Sequence, residues 1–168
     1  YWDLPLQLVF VANGEYQDYL KQIVQQFDLG KRVAICDFDE TLARQAYAAA
    51  DFILMPSAFE PCGLPQMIGP LYGTLPVAHN TGGIHDTIDN LDIKGNTGNG
   101  FLFETFDAGG LSWAIDQAIG FYHQPRRQRQ VQIRRIMSES VTAFTHSTTA
   151  RQYIELYEKM LQRPFLNP

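Results

Sequence analysis

The hydrophobic positions of this chain fall into short apolar runs, separated by stretches in which apolar residues recur with helical spacing. Short continuous apolar runs bounded by turn residues predict strands. The predicted strands cover residues 6–12, 33–36, 52–55, 75–78 and 100–103, and the first is expected to be buried. Asn13-Gly14 follows the first strand as a turn signal.

The segments between these runs predict helices, because their apolar residues recur at i, i+3, i+4 and i+7. In the first of them Leu20, Ile23, Val24 and Phe27 share a face, and Gly30 is expected to end the helix. Asp39 is expected to cap the N-terminus of the second, whose inner face carries Ala43, Ala46, Tyr47 and Ala50. The remaining helical segments are 63–72 with a bend at Pro70, a brief helix ending at Ile88, 107–122, 125–138 and 147–162.

Alternating strands and helices with short links predict an α/β fold, in which a Rossmann-like parallel sheet carries helices on both faces. The polar, glycine-rich stretch 90–99 is expected to be a surface loop, and residues 1–168 are expected to form a single domain. Ligands of such sheets bind at the carboxyl ends of the strands. The glycine-bearing loops after the third and fourth strands fall at those ends.

Charge and composition exclude several functions. With 13 basic and 18 acidic residues the formal net charge is −5, which argues against a nucleic-acid-binding protein. The basic stretch R-R-Q-R-Q at 126–130 is expected to be a solvated helix face. No apolar run reaches membrane-spanning length, and no signal peptide opens the chain, so no membrane partner and a cytoplasmic location are expected, or a plastid location in a plant.

Cysteine and histidine usage gives no sign of a metal site, a cofactor or a disulfide. Cys36 and Cys62 do not form a C-x-x-C motif, and no histidines lie at ligand spacing. The histidines are expected to be surface or loop residues; they are His79, His85, His123 and His146.

One motif suggests phosphoryl chemistry. The segment V-A-I-C-D-F-D-E-T-L-A at 33–43 resembles the first motif of haloacid-dehalogenase-type phosphatases, with Asp37 as nucleophile and Asp39 as acid/base. That chemistry also needs a lysine for the phosphoryl group and a further acidic pair for magnesium. No lysine follows the motif at a suitable place. Asp86 and Asp89 would be a weak substitute for the acidic pair that binds magnesium. The phosphatase remains a remote alternative.

A second and longer set of sequence motifs follows the phosphatase-like motif. The segments A-A-A-D-F-I-L-M-P-S-A-F-E-P-C-G-L-P-Q and Y-G-T-L-P-V-A-H-N-T-G-G-I-H-D-T-I resemble the starch synthases and bacterial glycogen synthases. The similarity continues through G-N-G-F-L-F-E and the terminal A-R-Q-Y-I-E-L-Y-E-K-M-L, over about residues 6–162. The resemblance implies the carboxy-terminal, nucleotide-sugar-binding half of a GT-B glycosyltransferase. In that family glucose passes from ADP-glucose or UDP-glucose to an α-1,4-glucan with retention of configuration.

The physical chemistry of the loops agrees with this resemblance. Backbone N–H groups of a Pro-Cys-Gly turn that leads into a helix form a site for anions and hydroxyls. Gly63 allows a ligand to approach the backbone, Gly82-Gly83 offers a second cradle, and Glu60 can accept hydrogen bonds from sugar hydroxyls. The resemblance also places Phe38 under the nucleotide base. The substrate-binding set is therefore Phe38, Glu60, Cys62, Gly63, Leu64, Thr81, Gly82 and Gly83.

Other features of the family are missing. Pro65 stands where glycogen synthases usually carry a threonine that helps to bind phosphate. The amino-terminal domain, with the acceptor surface and the catalytic histidine, has no counterpart, nor do the two cations that neutralise the diphosphate. We therefore assign no catalytic residue and expect the isolated chain to be inactive in glucosyl transfer. A non-catalytic module that binds a nucleotide sugar or a glucan remains an alternative.

Overall fold

A computed structural model describes residues 4–164. The chain divides into two compact units, Tyr1–Ala50 and Asp51–Pro168, which are described separately below. Strands alternate with helical segments until three consecutive helices close the second unit, and every strand pair is parallel, as the hydrophobic pattern predicts. The α/β class with parallel sheets and helices on both faces is confirmed.

The first unit is a pair of strand–helix repeats. Its elements are β1 (Leu8–Val11), α1 (Gln17–Gln26), β2 (Val33–Cys36) and α2 (Glu40–Ala49). Strand β1 pairs with β2 in a register that runs from Leu8 beside Val33 to Val11 beside Cys36. Helix α2 starts as predicted, because the Asp39 carboxylate accepts a hydrogen bond of 2.7 Å from the Leu42 N–H. Tyr47 lies on α2, and partial burial of its phenol raises the pKa of that group.

Two expectations for the first unit are wrong. Strand β1 is not buried, since Val9 is 59% exposed and β1 has a single partner strand among the described residues. Helix α1 ends at Gln26 rather than at Gly30, because Asp28 takes the left-handed conformation (φ 50°) that reverses the chain. Asparagine and aspartate tolerate this conformation better than other side chains do, so glycine is not needed there.

The second unit contains a three-stranded sheet in the order β3-β4-β5. Its elements are β3 (Phe52–Met55), α3 (Pro65–Tyr72), β4 (Leu75–His79), a single 3-10 turn at Gly82–Ile84, β5 (Phe101–Phe103), α4 (Ala108–Tyr122), α5 (Arg126–Ala143) and α6 (His146–Leu161). The brief helix expected to reach Ile88 is thus only this turn, while α5 runs past its predicted end at 138. Pro70 lies inside α3.

The sheet of the second unit is buried on both faces. Alternate residues of a strand point to opposite sides, so Val77 and Phe101 pack on one side, with Ile136 of α5. On the other side Ala78 and Leu102 pack with Met55, with Ile84 at the end of the 3-10 turn and with Ile88. A parallel strand such as β4, covered on both sides, is continuously apolar for this reason.

The polar stretch 90–99 is fastened to helix α5 by side chains of that helix. Gln132, which is 2% exposed, donates from Nε2 to the Asn96 side-chain oxygen at 2.6 Å and to the Ile93 carbonyl at 3.3 Å. Arg135 donates to the Gly98 carbonyl at 2.6 Å. The stretch is the surface loop that the sequence predicts, and it has defined contacts along most of its length.

Within residues 4–164 no helix is both long and apolar enough to cross a bilayer.

Candidate functional site

The loop that follows β3 connects the carboxyl end of that strand to the N-terminus of α3. Leu64 occupies the N-cap position of α3, and no side chain caps the helix there. Pro65 is the first helical residue, a position where the missing N–H costs no intrahelical bond. In the described part of the chain the N–H groups of Cys62 and Gly63 donate to no backbone carbonyl. The helix start therefore presents free donors and the positive end of its dipole.

The loop that follows β4 packs directly against this first loop, backbone against backbone. The Gly83 N–H donates to the Glu60 carbonyl at 2.9 Å. A Cβ on Gly83 would lie 2.5 Å from the Cys62 carbonyl oxygen, and one on Gly82 (φ 51°) would overlap the Glu60 carbonyl. Both glycines are thus required by the close approach of the two loops. This packing is a role for Gly82 and Gly83 beside the predicted ligand cradle.

Glu60 is half-buried between these loops and keeps its carboxylate available. The Ser57 hydroxyl donates to Glu60 Oε2 across 3.4 Å, a long hydrogen bond. Among the described residues no cation forms an ion pair with it. Most of the acceptor capacity of the carboxylate is therefore free for the hydroxyl groups of a ligand.

His79 makes a hydrogen bond to the loop after β3, and its burial differs from what the sequence predicts. It is the last residue of β4, only 8% exposed, and its Nδ1 lies 2.8 Å from the Ser57 carbonyl oxygen. Its ring packs against those of Phe103 and Phe106, with centroids 5.3 and 5.0 Å away. The prediction of a surface or loop histidine is wrong here, because the apolar strand extends one residue further than its hydrophobic run. His85, His123 and His146 are exposed as expected.

Gln66, which sequence reasoning missed, is the most deeply buried polar residue of the site. Its side chain is fully buried in the first turn of α3, and its Nε2 donates to the Cys62 carbonyl at 2.7 Å and to Thr87 Oγ1 at 3.3 Å. Gly63, with φ 74°, lies so close to this amide that a Cβ would come within 2.6 Å of Nε2. A polar side chain within the apolar helix Q-M-I-G-P-L was the signal that could have revealed it.

Cys62 has an exposed thiol. Its Sγ lies 3.6 Å from the carbonyl oxygen of Gly63, and no histidine ring makes a hydrogen bond to it among the described residues. Cys36 and Cys62 are both free cysteines.

The structure thus brings together the predicted residues of the second unit, while Phe38 belongs to the first unit. Glu60, Cys62 and Gly63 meet Gly82-Gly83, with Leu64 and Thr81 at the ends of the two loops. Phe38 is 57% exposed, and its N–H donates to the Asn13 side-chain oxygen at 2.9 Å. An exposed ring on a fixed backbone suits a stacking partner, and this role stays a prediction.

The aspartates of the phosphatase-like motif both have local structural partners. Asp37 accepts a hydrogen bond of 2.7 Å from the Gln17 amide, and Asp39 caps α2. Within residues 4–164 no three His, Cys, Asp or Glu side chains gather where they could hold a metal ion. The motif is therefore explained by helix capping and loop bonding, and the phosphatase alternative gains no support.

The candidate site does not coincide with the cavity between β5 and the start of α4. This cavity of about 280 Å³ lies in the second unit. Its lining includes Asn90, Glu104 and Trp113 and none of the loop residues 57–66. The candidate site is consequently assigned by its free backbone donors and its carboxylate.

Comparisons with known proteins agree with this geometry. Residues 3–135 match the model of the family described as "Glycosyl transferases group 1". The chain is 38% identical over 161 residues to the glycogen synthase of Natranaerobius thermophilus, covering 94% of this chain and 31% of that protein. The chain therefore spans about a third of the length of the curated relatives it matches.

Solved structures show the same fold. The catalytic domain of starch synthase IV from Arabidopsis thaliana, bound to ADP and acarbose, superposes with a TM-score of 0.73 at 28% identity, over 96% of this chain and 40% of that one. Anabaena HepE in complex with UDP gives a TM-score of 0.69 at 22% identity, over 93% of this chain and 42% of that one, a likeness of fold alone. With a GT-B fold, uncapped donors at the start of α3 and a family model that covers most of its length, this chain belongs to the group 1 glycosyl transferases.

Proposed function

We propose that this chain is the donor-binding domain of a glycogen-synthase-like or starch-synthase-like glucosyltransferase. The full enzyme would transfer glucose from ADP-glucose or UDP-glucose to an α-1,4-glucan with retention of configuration. The observation that carries the proposal is the pairing of the two loops, which holds the free Glu60 carboxylate beside the uncapped start of α3. The match to glycogen synthases and to an ADP-bound starch synthase supports this choice among group 1 transferases.

In this proposal each residue of the site binds a different part of the sugar-nucleotide donor. Glu60 accepts hydrogen bonds from glucose hydroxyls, and the N–H groups of Cys62 and Gly63 donate to sugar or phosphate oxygens. Thr81 and Gly82-Gly83 line the second side of the donor, Leu64 closes the end of the first loop, and Phe38 stacks on the base. Catalysis then rests on electrostatic stabilisation of the departing nucleoside diphosphate.

The remainder of the active site is proposed to come from outside this chain. The glucan acceptor and the catalytic histidine would belong to an amino-terminal domain, and closure of the two domains would complete the site. The single-domain assignment of residues 1–168 and the cytoplasmic location are part of the same proposal. The isolated chain is expected to bind donor weakly and to transfer no glucose.

Donor titrations by calorimetry test the binding step directly. ADP-glucose and UDP-glucose are titrated separately into the wild-type chain and into Glu60→Gln, which keeps the size of the side chain and removes its charge. Because hydrogen bonds to a charged group contribute about 1.5–3 kcal/mol, we expect affinity to fall about 10- to 100-fold. Glu155→Gln, an exposed change on α6, is the matched control and should bind as the wild type does. Equal affinities for Glu60→Gln and wild type would contradict the assignment.

A second candidate function is a module that binds a nucleotide sugar without catalysis. Pro65 favours it, because the start of α3 has one N–H fewer and no hydroxyl for a phosphate. Incorporation of radiolabelled glucose into glycogen by the full-length protein separates the two. Turnover supports the transferase, whereas donor binding without turnover supports the module.

A further inference from the structure

Two buried side chains connect the loops of the candidate site to each other. Gln66 Nε2 donates to the Cys62 carbonyl in the first loop and to Thr87 Oγ1 beyond the second. Thr87 Oγ1 donates in turn to the Gly83 carbonyl at 2.6 Å. A continuous chain of hydrogen bonds therefore runs from Cys62 through Gln66 and Thr87 to Gly83, behind the surface that faces a ligand.

The lengths of these hydrogen bonds determine which atoms donate and which accept. A threonine hydroxyl has one hydrogen, and the short contact to the Gly83 carbonyl uses it. Thr87 Oγ1 must then accept from Gln66, so the amide nitrogen of Gln66 points toward both Thr87 and Cys62. The orientation of this amide is thus determined by its surroundings.

This orientation leaves one atom without a partner. Gln66 Oε1 is buried and makes no hydrogen bond in the described part of the chain. Burying an unpaired acceptor costs about 1–3 kcal/mol, which offsets the gain from the two neutral hydrogen bonds that Nε2 donates. A half-satisfied glutamine therefore adds little net stability over an apolar side chain of the same length, which would lose the two bonds but avoid the unpaired acceptor.

The backbone at Gly63 and Gly83 lies very close to the residues of this hydrogen-bonded chain. A Cβ on Gly63 would run into the Gln66 amide, and one on Gly83 would contact Cys62. Both glycines bear backbone groups that the proposed function assigns to the donor. A change in the length of the Gln66–Thr87 connection would therefore move the Cys62 and Gly63 donors relative to the second loop.

We propose that Gln66 and Thr87 are positioning residues for the donor sugar: their hydrogen-bonded connection sets the spacing between the loop after β3 and the loop after β4. This inference rests on the proposed function and deepens it. Neither side chain touches the donor. They act through the N–H groups of Cys62 and Gly63 and through the Gly82-Gly83 backbone.

The test uses substitutions that remove the connection without leaving a cavity. Gln66→Met keeps the length of the side chain and removes the unpaired acceptor, and Thr87→Val replaces the hydroxyl with a methyl group. Thr142→Val is the matched control, because the Thr142 hydroxyl donates to the Glu139 carbonyl at 3.0 Å within α5. Thr87→Ser restores the hydroxyl. Affinity for ADP-glucose and UDP-glucose is measured by calorimetry, and stability by urea unfolding.

We expect Gln66→Met and Thr87→Val to bind donor about tenfold more weakly, while Gln66→Met unfolds at a urea concentration close to that of wild type, because the two lost hydrogen bonds are offset by removal of the unpaired acceptor. Thr87→Ser should recover most of the affinity, and Thr142→Val should bind as wild type does. The double variant should lose no more than the larger single loss, because one connection is removed in both cases.

Three outcomes would overturn the proposal, and they are distinguishable. If Thr87→Val lowers stability while affinity is unchanged, the pair is only structural. If the two losses of affinity add, the residues act independently. If the wild-type chain binds neither donor, the proposed function fails and this inference fails with it.

Discussion

At the scale of single residues, three glycines decide the shape of the candidate site. A Cβ on Gly82 or Gly83 would meet the backbone of the loop after β3, and a Cβ on Gly63 would meet the buried Gln66 amide of α3. The sequence predicted that glycine at these positions lets a ligand approach. The structure adds a second cause, because side chains at Gly82 or Gly83 would keep the two loops apart and one at Gly63 would displace Gln66.

Gly63→Ala is expected to destabilise the protein by about 1–3 kcal/mol, since φ of 74° is strained for alanine and the new Cβ displaces Gln66. Gly120→Ala is the control. Gly120 lies in α4, where an added Cβ would meet nothing within 4 Å, and alanine there should stabilise by about 0.5–1 kcal/mol. Urea unfolding of both variants measures the difference; a neutral Gly63→Ala would contradict this account.

The residues that the sequence could not reveal are those whose roles depend on distant partners. Glu60, Cys62 and Gly63 lie in one recognisable segment, so the pattern predicts them together. Gln66 and Thr87 are 21 residues apart and meet only in the folded protein. His79 was misjudged for the same reason, because its partners Ser57 and Phe103 come from other elements.

At the scale of elements, hydrophobic periodicity predicted the strands and most helices well, and their ends less well. A buried strand such as β4 requires a continuous apolar run whatever its neighbours are. The end of α1, in contrast, depends on a left-handed aspartate that periodicity does not report. The burial of β1 depends on how many strands flank it, which no local pattern contains.

Helix α5 has one face in the core and one face exposed to solvent, and substitutions on the two faces should differ in their effect on stability. Ile136 is fully buried in the core cluster that includes Val77 and Phe101, and Ile136→Ala should cost about 2–5 kcal/mol of unfolding free energy. Val131 lies on the same helix and is 52% exposed, so Val131→Ala should change stability by about 0.5 kcal/mol or less. Denaturant titrations of the two variants provide the comparison. Similar losses for both would show that α5 does not pack on the sheet as described.

At the scale of the whole molecule, the two units differ sharply in how much they bury. All buried hydrophobic residues of the described chain belong to the second unit, in two clusters on opposite faces of its sheet. None of the described residues of the first unit is fully buried. Since burial of apolar surface is the main source of stability, the second unit should be the more stable one.

Hydrogen exchange should show this difference directly. We expect the amides of β4 and β5 to exchange only through global unfolding, and those of β1 and β2 to exchange faster, through local opening. Mass spectrometry of peptic fragments after timed exchange measures both sets in one experiment. Equal protection of the two sheets would show that the first unit gains stability from contacts that its own burial does not reveal.

The fastening of residues 90–99 to α5 has a practical consequence. A polar, glycine-rich stretch is where a protein engineer would ordinarily insert an affinity tag, a fluorophore or new chain termini. Gln132 and Arg135 donate hydrogen bonds to the carbonyls of Ile93 and Gly98. An insertion would break these bonds and leave the buried amide of Gln132 without its partners. Labels are better attached to the exposed face of α6, and a protease should leave the 90–99 stretch intact.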